Sequence, residues 1–443
     1  GGRMSFTPEQ KRAVEARGEV LVSASAGAGK TTVMIKRLAD ILEGGASLDG
    51  VLAVTFTKKA AAQMKEKLRR ELISRLNTDD AEKRENIRVQ LGKINTADIS
   101  TIHSFCARLI RTYFYAVGVD SSFEVLADGA EANALRARAM DELFDKLYAE
   151  NSPDLLFLLS RLRKKRSDGA IREMLLSAYD EVRQRPDYDA ILSRCLNETY
   201  TEEGFLKVRA ELGALVAEKY KILASAVKKF ELGFYPAENR AGYIRVLEDM
   251  RVTLAELAEE QNVFLAPSKL SSAVKPRVKP QTAEADAAFA DFADGIKKRY
   301  KSLTKDLEEE QTERRRFFDS GEVAKAFVRL LMAFVTAYDG VKREEGKLDY
   351  GDLEHCALAL LEGADGDVRE TVRQKYAYVF VDEYQDVNPI QDKLITAVAG
   401  GDVFCVGDLK QAIYGFRGSR SRFFAEKCGY VGGRGEDVVL PDN

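Results

Sequence analysis

Strand-forming sequence is concentrated at the two ends of this chain, and that placement limits the possible folds more than any other feature. Residues 20–23 (Val-Leu-Val-Ser), 51–56 (Val-Leu-Ala-Val-Thr-Phe) and 99–102 (Ile-Ser-Thr-Ile) are short apolar or β-branched runs, and residues 378–381 and 403–406 repeat the pattern. Helical stretches such as 30–42 and 58–76 lie between them. Uninterrupted hydrophobic strands alternating with helices predict a parallel sheet covered on both faces. From about Val125 to Glu345 the chain changes character. Ala, Leu, Glu, Lys and Arg recur at helical spacing, as in 131–147 and 283–317, with one clear loop at 266–281 that carries three prolines. The expected architecture is one α/β domain, built from residues 4–124 and 346–443, interrupted by an all-helical domain over 125–345. No internal repeat is visible.

The sharpest chemical signal is Ser23-Ala24-Ser25-Ala26-Gly27-Ala28-Gly29-Lys30-Thr31-Thr32. It follows a strand and opens a helix, the setting a phosphate-binding loop requires. Small residues let backbone N–H groups curl around phosphates, and the helix N-terminus adds partial positive charge. Ala26 to Thr32 would form the cradle, with Lys30 reaching the β- and γ-phosphates of ATP and Thr31 a ligand to Mg²⁺. Ala24 stands where the usual pattern has its first glycine. The sheet domain is therefore expected to be a P-loop NTPase fold of the RecA-like kind.

A second half-site should be an acidic pair ending a buried strand, and 378–386 reads Tyr-Val-Phe-Val-Asp-Glu-Tyr-Gln-Asp. Asp382 would hold Mg²⁺, and Glu383 would act as general base toward the attacking water. Taken alone, an Asp-Glu pair after a strand is more often a solvated turn; the loop above reverses that. Further on, 406–418 ends a strand and interleaves polar and aromatic residues. Gln411 would sense the γ-phosphate, while Tyr414 and Phe416 offer faces to bases or are ordinary half-buried core. Thr7-Pro8-Glu9-Gln10 also has two readings. It is a capping box with Pro at the first helical position, or Gln10 recognises adenine.

Two more strand ends turn into helices at the sheet's carboxyl edge, where ligands of open α/β sheets bind. Phe56 and Lys58 there would touch DNA. His103, one of only two histidines, is a contact or an ordinary hydrogen-bonded residue; His355 reads as structural. Arg161-Leu-Arg-Lys-Lys-Arg166 is the one dense basic cluster, a solvated helix end or a track for a DNA backbone.

Bulk properties narrow the setting. The 443 residues are 45% hydrophobic with a net charge of −3, so DNA contact must come from a local groove rather than a cationic surface. Five scattered cysteines without metal spacing suit a reducing cytosol. The absence of an apolar run of about 18–20 residues argues against a membrane span. Gly1-Gly2-Arg3 before Met4 reads as a cloning remnant.

In order, these motifs resemble those of the UvrD/RecB-type superfamily 1 helicases. More narrowly they are similar to AddA-type subunits of bacterial ATP-dependent helicase/nucleases. The narrower likeness rests on the Ala-Ser-Ala-Gly loop, on Gln90-Leu91 followed by 99–106, on Leu348-Asp-Tyr-Gly-Asp-Leu-Glu-His355 and on Asp382-Glu-Tyr-Gln-Asp386. It is dense over 6–123 and 347–417 and weak in the helical insert. The resemblance implies that Gln10 contacts adenine and that Lys30, Asp382, Glu383 and Gln411 serve ATP hydrolysis. It places Phe56, Lys58, His103, Tyr414, Phe416 and Arg417 along single-stranded DNA. Phe416 stands where many relatives carry tryptophan. The insert becomes the accessory domain called 1B. Work on DNA ends in double-strand break repair and recombination, a partner of the AddB type and a cytoplasmic location follow from the same likeness. A stand-alone UvrD-type repair helicase without nuclease is the alternative.

After residue 443 the family continues into a second motor domain and, in the AddA type, a nuclease domain. The second motor domain supplies arginines that close over the γ-phosphate, worth ~10³–10⁵ in rate for related NTPases. The expectation is therefore a chain that binds nucleotide, hydrolyses it poorly, grips single strands weakly, and neither unwinds nor cuts DNA.

Overall fold

The computed structural model describes residues 7–24, 29–161, 168–230, 240–259, 283–304, 310–363, 366–408 and 436–440. Eight strands are present among them: β1 (Glu19–Ala24), β2 (Val51–Thr55), β3 (Asp98–Thr101), β4 (Glu124–Leu126), β5 (Lys347–Asp349), β6 (Tyr378–Val381), β7 (Asp402–Gly407) and β8 (Glu436–Leu440). Six form one sheet in the order β3-β2-β6-β7-β1-β8. Every pairing in it is parallel. This is the expected α/β fold, that of a P-loop NTPase.

Alternation along the strands divides the core into two layers, because successive side chains point to opposite faces. Val20, Val22, Ala53, Phe380, Phe404 and Val406 face helices α1 (Pro8–Glu15), α2 (Lys30–Glu43), α3 (Lys58–Arg75) and α4 (Ala81–Lys93). Leu21, Leu52, Val54, Val379, Val381 and Cys405 pack with the layer that includes α5 (Ile102–Thr112). Each fully buried Val, Leu or Phe contributes roughly 1.5–3 kcal/mol. Arg37 is buried in the first layer, where it donates to the Ala13, Val14 and Ala16 carbonyls at the end of α1 and pairs with Asp402 at 3.2 Å.

The remaining helices are α6 (Phe114–Val117), α7 (Ala130–Ala149), α8 (Pro153–Arg161), α9 (Gly169–Val182), α10 (Tyr188–Arg194), α11 (Glu202–Lys229), α12 (Arg240–Glu259), α13 (Ala283–Thr304), α14 (Glu310–Glu344), α15 (Tyr350–Glu362), α16 (Asp367–Lys375) and α17 (Pro389–Val398). Packing divides the chain into two compact units. One comprises residues 1–150, 168–188 and 333–443, and the other 151–167 and 189–332. The sheet unit thus takes in α7, α9 and the end of α14, whereas sequence character placed its limits at residues 124 and 346. Residues 124 and 346 fall at a separate two-stranded sheet. There β4 and β5 pair in parallel, with Glu124 N donating to Gly346 O at 2.9 Å.

The second unit is helical. Its core lies among α11, α12 and α13, where Tyr220, Met250, Leu254, Phe289 and Ile296 are buried together and Tyr220 stacks on Tyr300. Among the described residues no helix is long and apolar enough to cross a membrane.

Candidate functional site

The nucleotide site begins at the end of β1. Gly29 caps α2 with φ +84°, a left-handed conformation that glycine adopts without steric cost. Among the described residues no side chain caps this helix, and such uncapped N–H groups at a helix start are what anion binding uses. The expected capping box on α1 is present: Gln10 N donates to Thr7 Oγ1 at 3.2 Å, and Thr7 N donates to Gln10 Oε1 at 3.0 Å. The other end of the same amide reaches the phosphate loop. Gln10 Nε2 lies 3.2 Å from where a Cβ on Gly29 would be. Its oxygen therefore serves the helix, and its NH₂ lies beside Gly29.

Lys30, with 12% of its side chain exposed, places Nζ 3.7 Å from Glu383 Oε2. Lys30 opens the helix that follows β1 and Glu383 follows β6, strands that flank β7 in the sheet. Glu383 holds φ +53°, rare for a residue with a side chain. Its N–H donates to Asp382 Oδ1 at 3.0 Å, and Gln385 Nε2 donates to its Oε2 at 2.7 Å. Gln385 Oε1 in turn accepts from Asp408 N at 2.9 Å, tying the acidic turn to the end of β7. Asp382 is 8% exposed. Burial, then the charge of Glu383, pushes its carboxyl above the ordinary range, against the Glu383 amide, Lys30 and Lys67. A carboxylate so placed gains from a divalent cation, and Mg²⁺ commonly uses only one or two carboxylates beside phosphate oxygens. Asp382 fits that requirement as the carboxylate, and Thr31 follows Lys30 in the first turn of α2. Ala26, Gly27 and Ala28 lie outside the described residues.

Beside this site, within the sheet unit, a cleft of about 1460 Å³ opens at the carboxyl ends of β2 and β3. It brings Phe56, Lys58 and His103 together. Phe56 is 36% exposed at the end of β2, just before Thr57, which caps α3 by accepting from Ala60 N. Thr101 caps α5 in the same way, accepting from Ser104 N, and so presents His103 in the first turn. The His103 ring stacks on Tyr350 with centroids 4.2 Å apart. Its Nε2 lies 3.0 Å from Glu354 Oε1.

Sequence reasoning assigned no role to Tyr350, Glu354, Gln385, Asn388 or Gln391, all of which surround these groups. One signal was present. Asn388-Pro389-Ile390-Gln391 repeats the Thr-Pro-x-Gln pattern of residues 7–10, and it forms a capping box on α17. His355 bonds Arg183 O through Nε2 at 3.0 Å. Arg161 ends α8 over the Phe157 ring. Residues 162–166 of the basic run, and Gln411, Tyr414, Phe416 and Arg417, lie outside the described residues.

An all-parallel sheet with a phosphate loop after one strand and an acidic pair after another defines a P-loop nucleotide-binding protein. The chain belongs to the UvrD/REP helicase N-terminal domain family, whose sequence model matches residues 6–428. Curated relatives, each named as the A subunit of an ATP-dependent helicase/nuclease, are similar along nearly its whole length. The one from Carboxydothermus hydrogenoformans is 33% identical over 96% of this chain and 37% of its own. That from Ligilactobacillus salivarius is 30% identical over 95% and 36%, and that from Levilactobacillus brevis 31% over 100% and 37%. The chain thus spans a little over a third of the length of these relatives.

Proposed function

We propose that this chain is the N-terminal part of an ATP-dependent DNA helicase/nuclease, binding ATP and single-stranded DNA in double-strand break repair. The carrying observation is that Lys30, Asp382 and Glu383 share one edge of a single sheet with the cleft of Phe56, Lys58 and His103. A nucleotide-driven motor needs its two ligands on one rigid element, so that a change at one is felt at the other. The relatives' name, the A subunit of an ATP-dependent helicase/nuclease, supports the nuclease-associated form and a partner subunit of the AddB type.

In this reading Lys30 exchanges Glu383 for phosphate oxygens when nucleotide enters. The α2 N–H groups take further oxygens, and Gln10 Nε2 reaches the base. Mg²⁺, held by Asp382 and the Thr31 hydroxyl, would neutralise phosphate charge. Glu383, released from Lys30 but still held by Gln385, accepts a proton from the attacking water. In the cleft Phe56 offers a face for base stacking, worth about 1–3 kcal/mol per base. Lys58 meets a backbone phosphate.

The test is direct titration of the chain with a fluorescent ATP analogue and with a labelled oligothymidylate. Lys30→Ala should weaken nucleotide by about 10–100-fold, since bonds to charged groups are worth about 1.5–3 kcal/mol. Nucleotide binding that ignores this change, or a parent chain that binds no single strand, would overturn the reading.

A further inference from the structure

Glu354 is a buried carboxylate, 4% exposed, on a helix outside both motifs, yet it gathers donors from two other elements. Gln391 Nε2 and Asn388 Nδ2 both donate to it, the latter at 3.4 Å. Because amide NH₂ groups can only donate, both carboxylate oxygens act as acceptors. The imidazole Nε2 facing Oε1 at 3.0 Å is then the N–H of His103.

The two amides are not there merely to cap α17. Asn388 Oδ1 already accepts from Gln391 N at 2.9 Å, and Gln391 Oε1 already accepts from Asn388 N at 3.3 Å. Each side chain therefore spends its oxygen on the helix end and its NH₂ on Glu354. The start of α17 cannot shift without moving the donors of Glu354, and with them the partner of His103.

That helix start follows directly on the acidic turn of the nucleotide site. Gln385, within the 3-10 turn Tyr384–Asp386, grips the Glu383 oxygen that lies 3.7 Å from Lys30. Bonded contacts thus run from Lys30 through Glu383 and Gln385, along a few residues of backbone to Asn388, and across Glu354 to His103. Gln385, Asn388, Gln391 and Glu354 are buried, and bonds between buried polar groups are costly to break singly, so these four tend to move together or not at all.

We propose that Glu354 is a positioning residue that couples the nucleotide site to the DNA cleft, fixing His103 according to the position of the 382–391 segment. This rests on the function proposed above and names the link between its two sites. Coupling of this sort is a ratio of affinities and is reciprocal between the ligands.

The experiment measures binding of the chain to a labelled oligothymidylate by anisotropy, with and without saturating Mg²⁺ and a non-hydrolysable ATP analogue. The parent is expected to change its DNA affinity at least fivefold on adding the analogue, the lower end of typical coupling. Glu354→Gln keeps the shape but cannot accept at both oxygens, and it should reduce that change to below twofold. Gln391→Glu retains a capping box while replacing the NH₂ donor by an acceptor, and should do the same if Glu354→Gln does not fold. Full coupling in either folded variant overturns the proposal, as does a parent that binds both ligands without coupling. A parent that fails to bind one ligand instead refutes the proposed function itself.

Discussion

Lys342 Nζ lies 2.6 Å from Asp352 Oδ2, beneath the first turn of α15, with 1% of the lysine exposed. The same ammonium stands 3.1 Å from Asp349 and 3.1 Å from Asp339. Arg183 donates to the other oxygen of Asp352 at 2.8 Å. Asp349 and Asp352 form the capping box of α15, so the end of α14 and the end of α9 are pinned to the helix that carries Tyr350 and Glu354.

Removing this lysine strands its carboxylates. Burial pushes the Lys342 ammonium down, but Asp352 and Asp349 outweigh it and hold it above the ordinary range. Lys342→Met should cost the sheet unit about 3–5 kcal/mol, the usual penalty for breaking a buried ion pair from one side. Urea unfolding followed by circular dichroism checks this, and a loss below about 1 kcal/mol would mean the cluster relaxes or hydrates.

The two aspartates respond to pH in opposite senses. Burial and the charge of Asp349 push Asp352 up from 3.8 to about 6, against Lys342 and Arg183. For Asp349 burial is outweighed by Lys342, the Asp352 amide and Arg183, which hold it below 3.8. Between pH 3.8 and about 6 the folded state therefore binds a proton at Asp352 that the unfolded chain has lost. The slope of unfolding free energy with pH follows the protons bound in the unfolded minus the folded state, so this group's contribution falls as pH rises through that window. Asp349 acts only below it, where its stabilisation is lost on acidification. Asp352→Asn should remove the decline, seen as a stability difference between variant and parent that moves in the variant's favour from pH 4 to 6. A difference constant with pH would contradict the assignment.

Gly29 is predicted to tolerate no side chain. Its φ of +84° costs an L-residue about 1–2 kcal/mol, and the new methyl would press on Gln10 Nε2 at 3.2 Å. Gly29→Ala should lower the melting temperature and weaken nucleotide together, whereas Gly92→Ala, in a helix with open space around it, should do neither. Calorimetry with and without an ATP analogue separates the two effects. Equal behaviour of the two variants would refute the requirement for glycine at position 29.

Phe56 is predicted to matter for DNA and little for folding, because it is 36% exposed. Phe56→Ala should weaken an oligothymidylate by about 1–3 kcal/mol, the worth of one stacked base, with unfolding unchanged within about 0.5 kcal/mol. An unchanged DNA affinity would place the strand elsewhere.

Much of the candidate site was legible because its signals are local. Phosphate-loop chemistry depends on consecutive small residues between a strand and a helix, and Lys30 and Asp382 fall at strand ends that hydrophobic runs mark clearly. Glu354 was not readable. It sits with Asp352 and Glu362 in an otherwise Ala/Leu-rich helix, where an acid looks like any solvated residue, and only the fold brings His103, Asn388 and Gln391 to it. Strands β4 and β5 escaped notice because three residues are too few to show a period, and they pair only because the two ends of the helical stretch meet. For the same reason the sheet unit extends into that stretch: helical spacing shows that α7 and α9 are helices, not what they pack on.

The chain by itself thus determined the parallel sheet, the phosphate-loop sequence and the acidic pair, since uninterrupted hydrophobic runs and runs of small residues are set by near neighbours. Tertiary structure decided which buried charges would meet. It placed Lys342 among three carboxylates, gave Glu354 its amide and imidazole partners, and turned the two ends of the Gln10 amide to different tasks. Such choices depend on residues far apart in sequence being desolvated together, where a polar group must find a partner or cost free energy, and no local pattern encodes which partner it will be.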